Sequence, residues 1–185
     1  MATHKNIGYN AFPITDNRSS MAAALAGKLL NARNESLNES MSDFEGSSNK
    51  LEFVKSIEGI DFINDSRSTN INAVWFALES MTKPTTWIMS IENRESFSDD
   101  LLDIIRQQVK NIVMLGVDNP ELMELFSSMG INVEFSMYME DAVRAAYYTS
   151  TAGDAVLFAP GTTSFGMYRT YRERGDKFKE AVAQL

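Results

Sequence analysis

The 185-residue chain contains no cysteine and one histidine, His4. Without thiols, neither a disulfide framework nor a thiolate metal site can form. His4 lies in a polar amino-terminal stretch of the kind that is usually mobile, and is read as neither base nor ligand. Positive charge is scarce: 17 Lys and Arg face 25 Asp and Glu, a net charge of −8. That balance argues against a general nucleic-acid or anionic-membrane binder, while leaving room for a local basic pocket. No apolar run approaches the ~20 residues that span a bilayer. The opening Met-Ala-Thr-His-Lys-Asn lacks the charged-then-apolar pattern of a secretory leader, so a cytoplasmic location is expected. No Gly-x-x-x-x-Gly-Lys-Ser/Thr occurs, which excludes a P-loop. The glycosylation sequons at Asn34 and Asn38 and the tripeptide Arg174-Gly175-Asp176 are read as chance matches.

What is present reads as a globular protein, with 44% apolar residues and enough length to bury a core. Residues 1–19 are expected to form an irregular tail. Residues 20–45 hold two helical segments, the first rich in strong helix formers. Glu45-Gly46-Ser47-Ser48-Asn49 reads as a linker. Beyond it, Leu51–Ile57 and Ile60–Asn64 read as strands joined by a turn at Glu58-Gly59. Ile71, Val74, Trp75 and Leu78 share one helix face. Strands follow at Thr85–Ile91, Asn111–Val117, Asn132–Ser136 and Ala155–Ala159. Helices are expected at about Asp99–Val109, after Asn119-Pro120, at Glu140–Thr149, and from about Arg174 with Phe178, Val182 and Leu185 on one face. The methionines of Met137-Tyr138-Met139 read as core filler. Strands alternating with helices in this way indicate βαβ units and a mostly parallel sheet. The fold class expected for residues 46–185 is therefore α/β, a three-layer Rossmann-like domain preceded by a short helical extension.

In such a sheet the loops after the strands share one edge, where ligands bind. The most chemically loaded loop is Asp65-Ser66-Arg67-Ser68-Thr69-Asn70. Arg67, Arg94 and Arg169 could reach that edge as an anion-binding rim, or be ordinary solvated loop cations. Gly161-Thr162-Thr163-Ser164 could cradle a phosphate on backbone N–H groups, or be a plain strand-to-helix turn. Asp99, Asp100 and Asp103 suit the start of a helix and are not read as metal ligands.

Asp65-Ser66-Arg67-Ser68-Thr69-Asn70 resembles the Asp-Ser-Lys-Ala-Thr-Asn signature of the bacterial Mur ligases, above all the D-glutamate-adding members. Asn49-Lys50-Leu51-Glu52 stands where that family has His-Arg-Leu-Glu. The stretch from Ser164-Phe165 through Tyr171-Arg172-Glu173-Arg174-Gly175-Asp176 resembles the family's closing segment. Ser20-Met21-Ala22-Ala23 and Arg33-Asn34-Glu35 resemble the last helices of its ATP-binding domain. The resemblance thus runs from about Ser20 to the end. It implies the amino-acid-binding domain of an ATP-dependent, amide-forming ligase of peptidoglycan precursor synthesis, with the UDP-binding and P-loop ATPase domains missing.

By position, the resemblance implies that Lys50 and Asp65 touch the nucleotide. It implies that Thr69, Arg94, Ser164, Phe165 and Tyr171 surround D-glutamate, with Arg67 beside them. ATP and magnesium are the family's cofactors, and none is expected to be held by this chain alone. The partners implied are D-glutamate and the missing domains in trans, or self-association through residues 20–44. Several positions depart from the family. Its Gly-Gly-x-Asp-Lys loop reads Ser90-Ile91-Glu92-Asn93-Arg94, and its Ser-Pro-Ala-Cys-Ala-Ser reads Ala159-Pro160-Gly161-Thr162-Thr163-Ser164. A non-catalytic binding module that kept the fold with a drifted anion pocket is the alternative.

Overall fold

The computed structural model describes residues 48–164 and 167–185. The expectations for residues 1–19 and 20–45, and the assignment of Phe165, lie outside the described residues.

The first two strands, β1 (Glu52–Ile57) and β2 (Ile60–Asn64), form an antiparallel hairpin. Its turn places Glu58 at φ 50° and Gly59 at φ 82°. Two successive left-handed residues give the tight reversal whose twist matches paired strands. The chain then alternates: α1 (Ile71–Glu79), β3 (Thr85–Met89), α2 (Asp99–Gln108), β4 (Val109–Leu115), α3 (Pro120–Ser128), β5 (Asn132–Ser136), α4 (Met139–Thr149), β6 (Ala155–Phe158) and α5 (Tyr171–Ala183). The strands form one sheet in the order β1-β2-β6-β3-β4-β5, parallel except for the hairpin.

Alternation within each strand sorts the core into two halves, because successive side chains leave a sheet on opposite faces. Trp87, Met89, Ile112, Met114 and Leu157 pack on one side with Val74 and Leu78 of α1, Ile105 of α2 and Phe126 of α3. Ile88, Val113, Val156 and Phe158 pack on the other with Val143 of α4 and Phe178 of α5. β3 and β6 are buried at every position, as the middle of a three-layer sandwich requires. Among the described residues, no helix is long and apolar enough to cross a membrane.

Four of the five α-helices among the described residues start on a capping side chain. Asn70, Ser98, Asn119 and Thr170 accept from backbone N–H groups of the first turn, which otherwise lack partners. Thr170 explains why α5 begins about one turn earlier than its apolar spacing suggested. Two details of the sequence reading are corrected. Leu185 is 41% exposed, because α5 ends at Ala183 and the last residues leave its buried face. Met137 is 51% exposed in the turn after β5, so only Met139 of that pair fills the core.

Candidate functional site

β6 lies between β2 and β3, although it follows both in the chain. The helices after β2 and β3 cover one face of the sheet, whereas α5, after β6, covers the other. Loops that depart to opposite faces leave a crevice at the carboxyl ends of the strands. A cavity of about 250 Å³ occupies that edge. Ser90 and Glu92 line it from the segment after β3, and Leu115, Gly116 and Val117 from the end of β4. Thr162, Thr163, Ser164, Met167 and Tyr168 close it from the segment after β6, and Arg174 from α5.

Arg174 is the buried cation of this site, only 3% exposed. One terminal nitrogen donates to the carbonyls of Thr162 (3.0 Å) and Thr163 (3.3 Å), the other to that of Ser66 (2.9 Å). The guanidinium therefore staples the loop after β6 to the loop after β2. Burial brings its pKa down to about 10, which still leaves it charged at neutral pH. Its Nε is buried without a hydrogen-bond partner. An unpaired buried donor is costly, and is tolerated here beside three carbonyl contacts to a charged group. Burial also raises the pKa of Tyr168, with Glu140 nearby acting in the same direction.

The loop after β2 folds into a buried polar knot. Asp65 takes the Leu51 N–H on one oxygen (3.0 Å) and the Ser68 hydroxyl on the other. Burial pushes its carboxyl above the usual carboxylate range, with Ser68, Leu51, Lys50 and Arg67 partly opposing. Beside it, the Asn49 side-chain oxygen accepts from Asn64 Nδ2 (3.0 Å) and Ser66 Oγ (3.3 Å). Asn49 and Leu51 both adopt positive φ, 68° and 43°, to deliver these contacts. Gly175 closes the knot from α5. A Cβ there would stand 2.0 Å from Asn49 Oδ1 and 2.4 Å from Ser66 Oγ.

The sequence-derived site residues divide between these two features. Ser164 lines the cavity. Lys50, Asp65, Arg67 and Tyr171 gather at the knot, where the Arg67 guanidinium lies 5.9 Å and that of Arg172 5.5 Å from the Tyr171 ring centre. Thr69 is half-buried next to Ser68. Arg94 opens a 3-10 turn, Arg94–Ser96, is exposed and does not line the cavity. Arg169 does not line it either, because its side chain pairs with Glu173 at 3.3 Å. The three arginines proposed as a rim therefore do not share this cavity; its cation is Arg174. Sequence reasoning missed Arg174, Glu92 and Tyr168 as lining residues. The signal available for Arg174 was a cation among the apolar positions of α5, four residues before Phe178.

No family model matches the chain. Over 168 residues it is 39% identical to the UDP-N-acetylmuramoylalanine-D-glutamate ligase of Christiangramia forsetii, covering 91% of this chain and 38% of that enzyme. The ligases of the same name from Bacteroides fragilis and Salinibacter ruber are 37% and 35% identical over 90% of the chain, which covers 38% and 36% of them. The chain thus spans little more than a third of the curated relatives it matches. The structure of UDP-N-acetylmuramate-alanine ligase from Thermotoga maritima superposes with a TM-score of 0.51 at 12% identity. That likeness covers 77% of this chain and 31% of the other, and shows the shared fold.

Proposed function

We propose that this chain, which belongs to the Mur ligase family, is the amino-acid-binding domain of a D-glutamate-adding ligase. The cavity carries the reading. It lies at the switch point of the sheet and holds about 250 Å³. Ser90, Thr162, Thr163 and Ser164, all hydroxyl-bearing, are among its lining residues, a set suited to a small carboxylate ligand. Ser164 is the lining residue that the family resemblance assigns to D-glutamate.

One residue that the family resemblance assigns to the nucleotide is already engaged within the fold. Asp65 is buried and both its oxygens already accept bonds within the chain. No P-loop is present in the sequence. On this reading the P-loop used for ligation in this family belongs to another domain.

A second reading, a binding module without a catalytic role, is favoured by one observation: Arg94, assigned to the substrate by resemblance, stands outside the cavity. Calorimetric titration of D-glutamate and L-glutamate at low salt tests the first reading. Saturable binding of the D-isomer, weakened at least tenfold by Ser164→Ala, is the expected result. Absence of heat with either isomer at millimolar concentration would overturn it.

A further inference from the structure

We infer that the Glu92 carboxylate receives the α-ammonium group of the amino acid bound in this cavity, an assignment that rests on the amino-acid-binding reading above. The cavity carries charges of both signs. Arg174 supplies a buried positive charge, Thr162, Thr163 and Ser164 carry hydroxyls after β6, and Glu92 supplies an acid from the segment after β3. A ligand that is anionic throughout would be repelled by Glu92. A zwitterion satisfies both walls.

The Glu92 segment is fixed from three sides. The Ser90 N–H donates to the Pro160 carbonyl at 2.9 Å. Ile91 is buried and presses on Gly161, where an added Cβ would stand 2.6 Å from the isoleucine side chain. Asn119 Nδ2 donates to the Glu92 carbonyl at 2.8 Å. The backbone that carries Glu92 is thus tied to the β6 and β4 loops, while its carboxylate has no hydrogen bond or ion pair among the described residues. A cavity-lining glutamate on a held backbone, its carboxylate unpaired among the described residues, can receive a cation. Glu92 and Arg174 line the same cavity, one acid and one cation, the pairing of charges that an α-amino acid carries. The cation it receives is a ligand ammonium, because Glu92 is the one acid among the described residues that line the cavity.

The test compares D-glutamate with glutarate, the same dicarboxylate without the amine, by calorimetry on the wild-type chain and on Glu92→Gln. Glu92 is exposed, so the variant is expected to fold, and circular dichroism checks this. The wild type should prefer D-glutamate by about tenfold, the gain typical of one charge-assisted contact. Glu92→Gln should bind the two ligands alike, through weaker D-glutamate and unchanged or tighter glutarate binding. A preference that survives in Glu92→Gln, or a wild type that does not discriminate, overturns the role of Glu92 while leaving the amino-acid reading standing. Failure of the wild type to bind either ligand is a different result and sinks both.

Discussion

Gly175 sits where a single methyl group is too much. It lies in the first two turns of α5, and its missing side chain leaves room for Asn49, Ser66 and Asn64, whose polar atoms lie 2.0, 2.4 and 2.9 Å from an ideal Cβ. All three are buried, so none can swing into solvent. Gly175→Ala would usually favour a helix by intrinsic propensity, by about 1 kcal/mol. Here the sign reverses, because the displaced groups must give up hydrogen bonds inside the fold. A net loss of about 2 kcal/mol, read as a lower urea midpoint, is expected. An unchanged or raised midpoint would show that the knot is loose. The tripeptide Arg174-Gly175-Asp176 read as chance from the sequence is thus two packing devices side by side, a guanidinium staple and a gap. Neither was legible, since the atoms they meet come from residues 49, 64, 66, 162 and 163.

At the scale of elements, sequence and structure agree where periodicity is strong. The face built from Val74 and Leu78 is buried in α1, and Asn132–Ser136 is a strand to the residue. They part at α5, whose start was set by a Thr170 cap rather than by apolar spacing. The Asn119 cap shows why such positions matter to the site. Its Oδ1 accepts from the N–H groups of Glu121 (2.9 Å) and Leu122 (3.3 Å), while its Nδ2 holds the Glu92 carbonyl. One side chain therefore starts α3 and fastens the cavity wall. Asn119→Asp retains the acceptor and loses the donor, so stability should change by less than about 0.5 kcal/mol. Amide hydrogen exchange across residues 92–96 should nevertheless rise. Asn119→Ala loses both roles, and about 1 kcal/mol of stability with them. Equal exchange in wild type and Asn119→Asp would mean that the Glu92 segment is held without Asn119. The crevice was foreseen only as a shared loop edge. Which loops close a common cavity depends on strand order, which local pattern does not encode.

Across the whole molecule, the two ends of the sheet treat buried carboxylates in opposite ways. At the carboxyl end, burial raises the pKa of Asp65, so its ionised form disfavours the fold at neutral pH. At the amino end, burial of Asp154 is outweighed by the Lys110 ammonium (2.8 Å) and by the N–H and hydroxyl of Thr151, and its pKa falls below 3.8. Asp61 is lowered likewise, chiefly by its bond to Lys83. For a depressed carboxyl, the folded state holds the proton less well than the unfolded chain. Its stabilisation is complete above the ordinary value of 3.8 and drains away as pH falls through the folded value. Asp65 contributes with the reverse sign, favouring the fold more as it takes up its proton. Asp154→Asn removes the charge while keeping an oxygen for the Thr151 N–H. The expected loss is roughly 1.5 kcal/mol at pH 7, because a charge-assisted bond becomes a neutral one. The variant's urea midpoint should then fall less steeply than the wild type's as the pH drops below about 4, so that the two curves converge. Curves that stay parallel down to the acid transition would show that Asp154 and Lys110 do not hold the amino end of the sheet. The pH dependence would then belong to Asp61 and the remaining surface carboxylates.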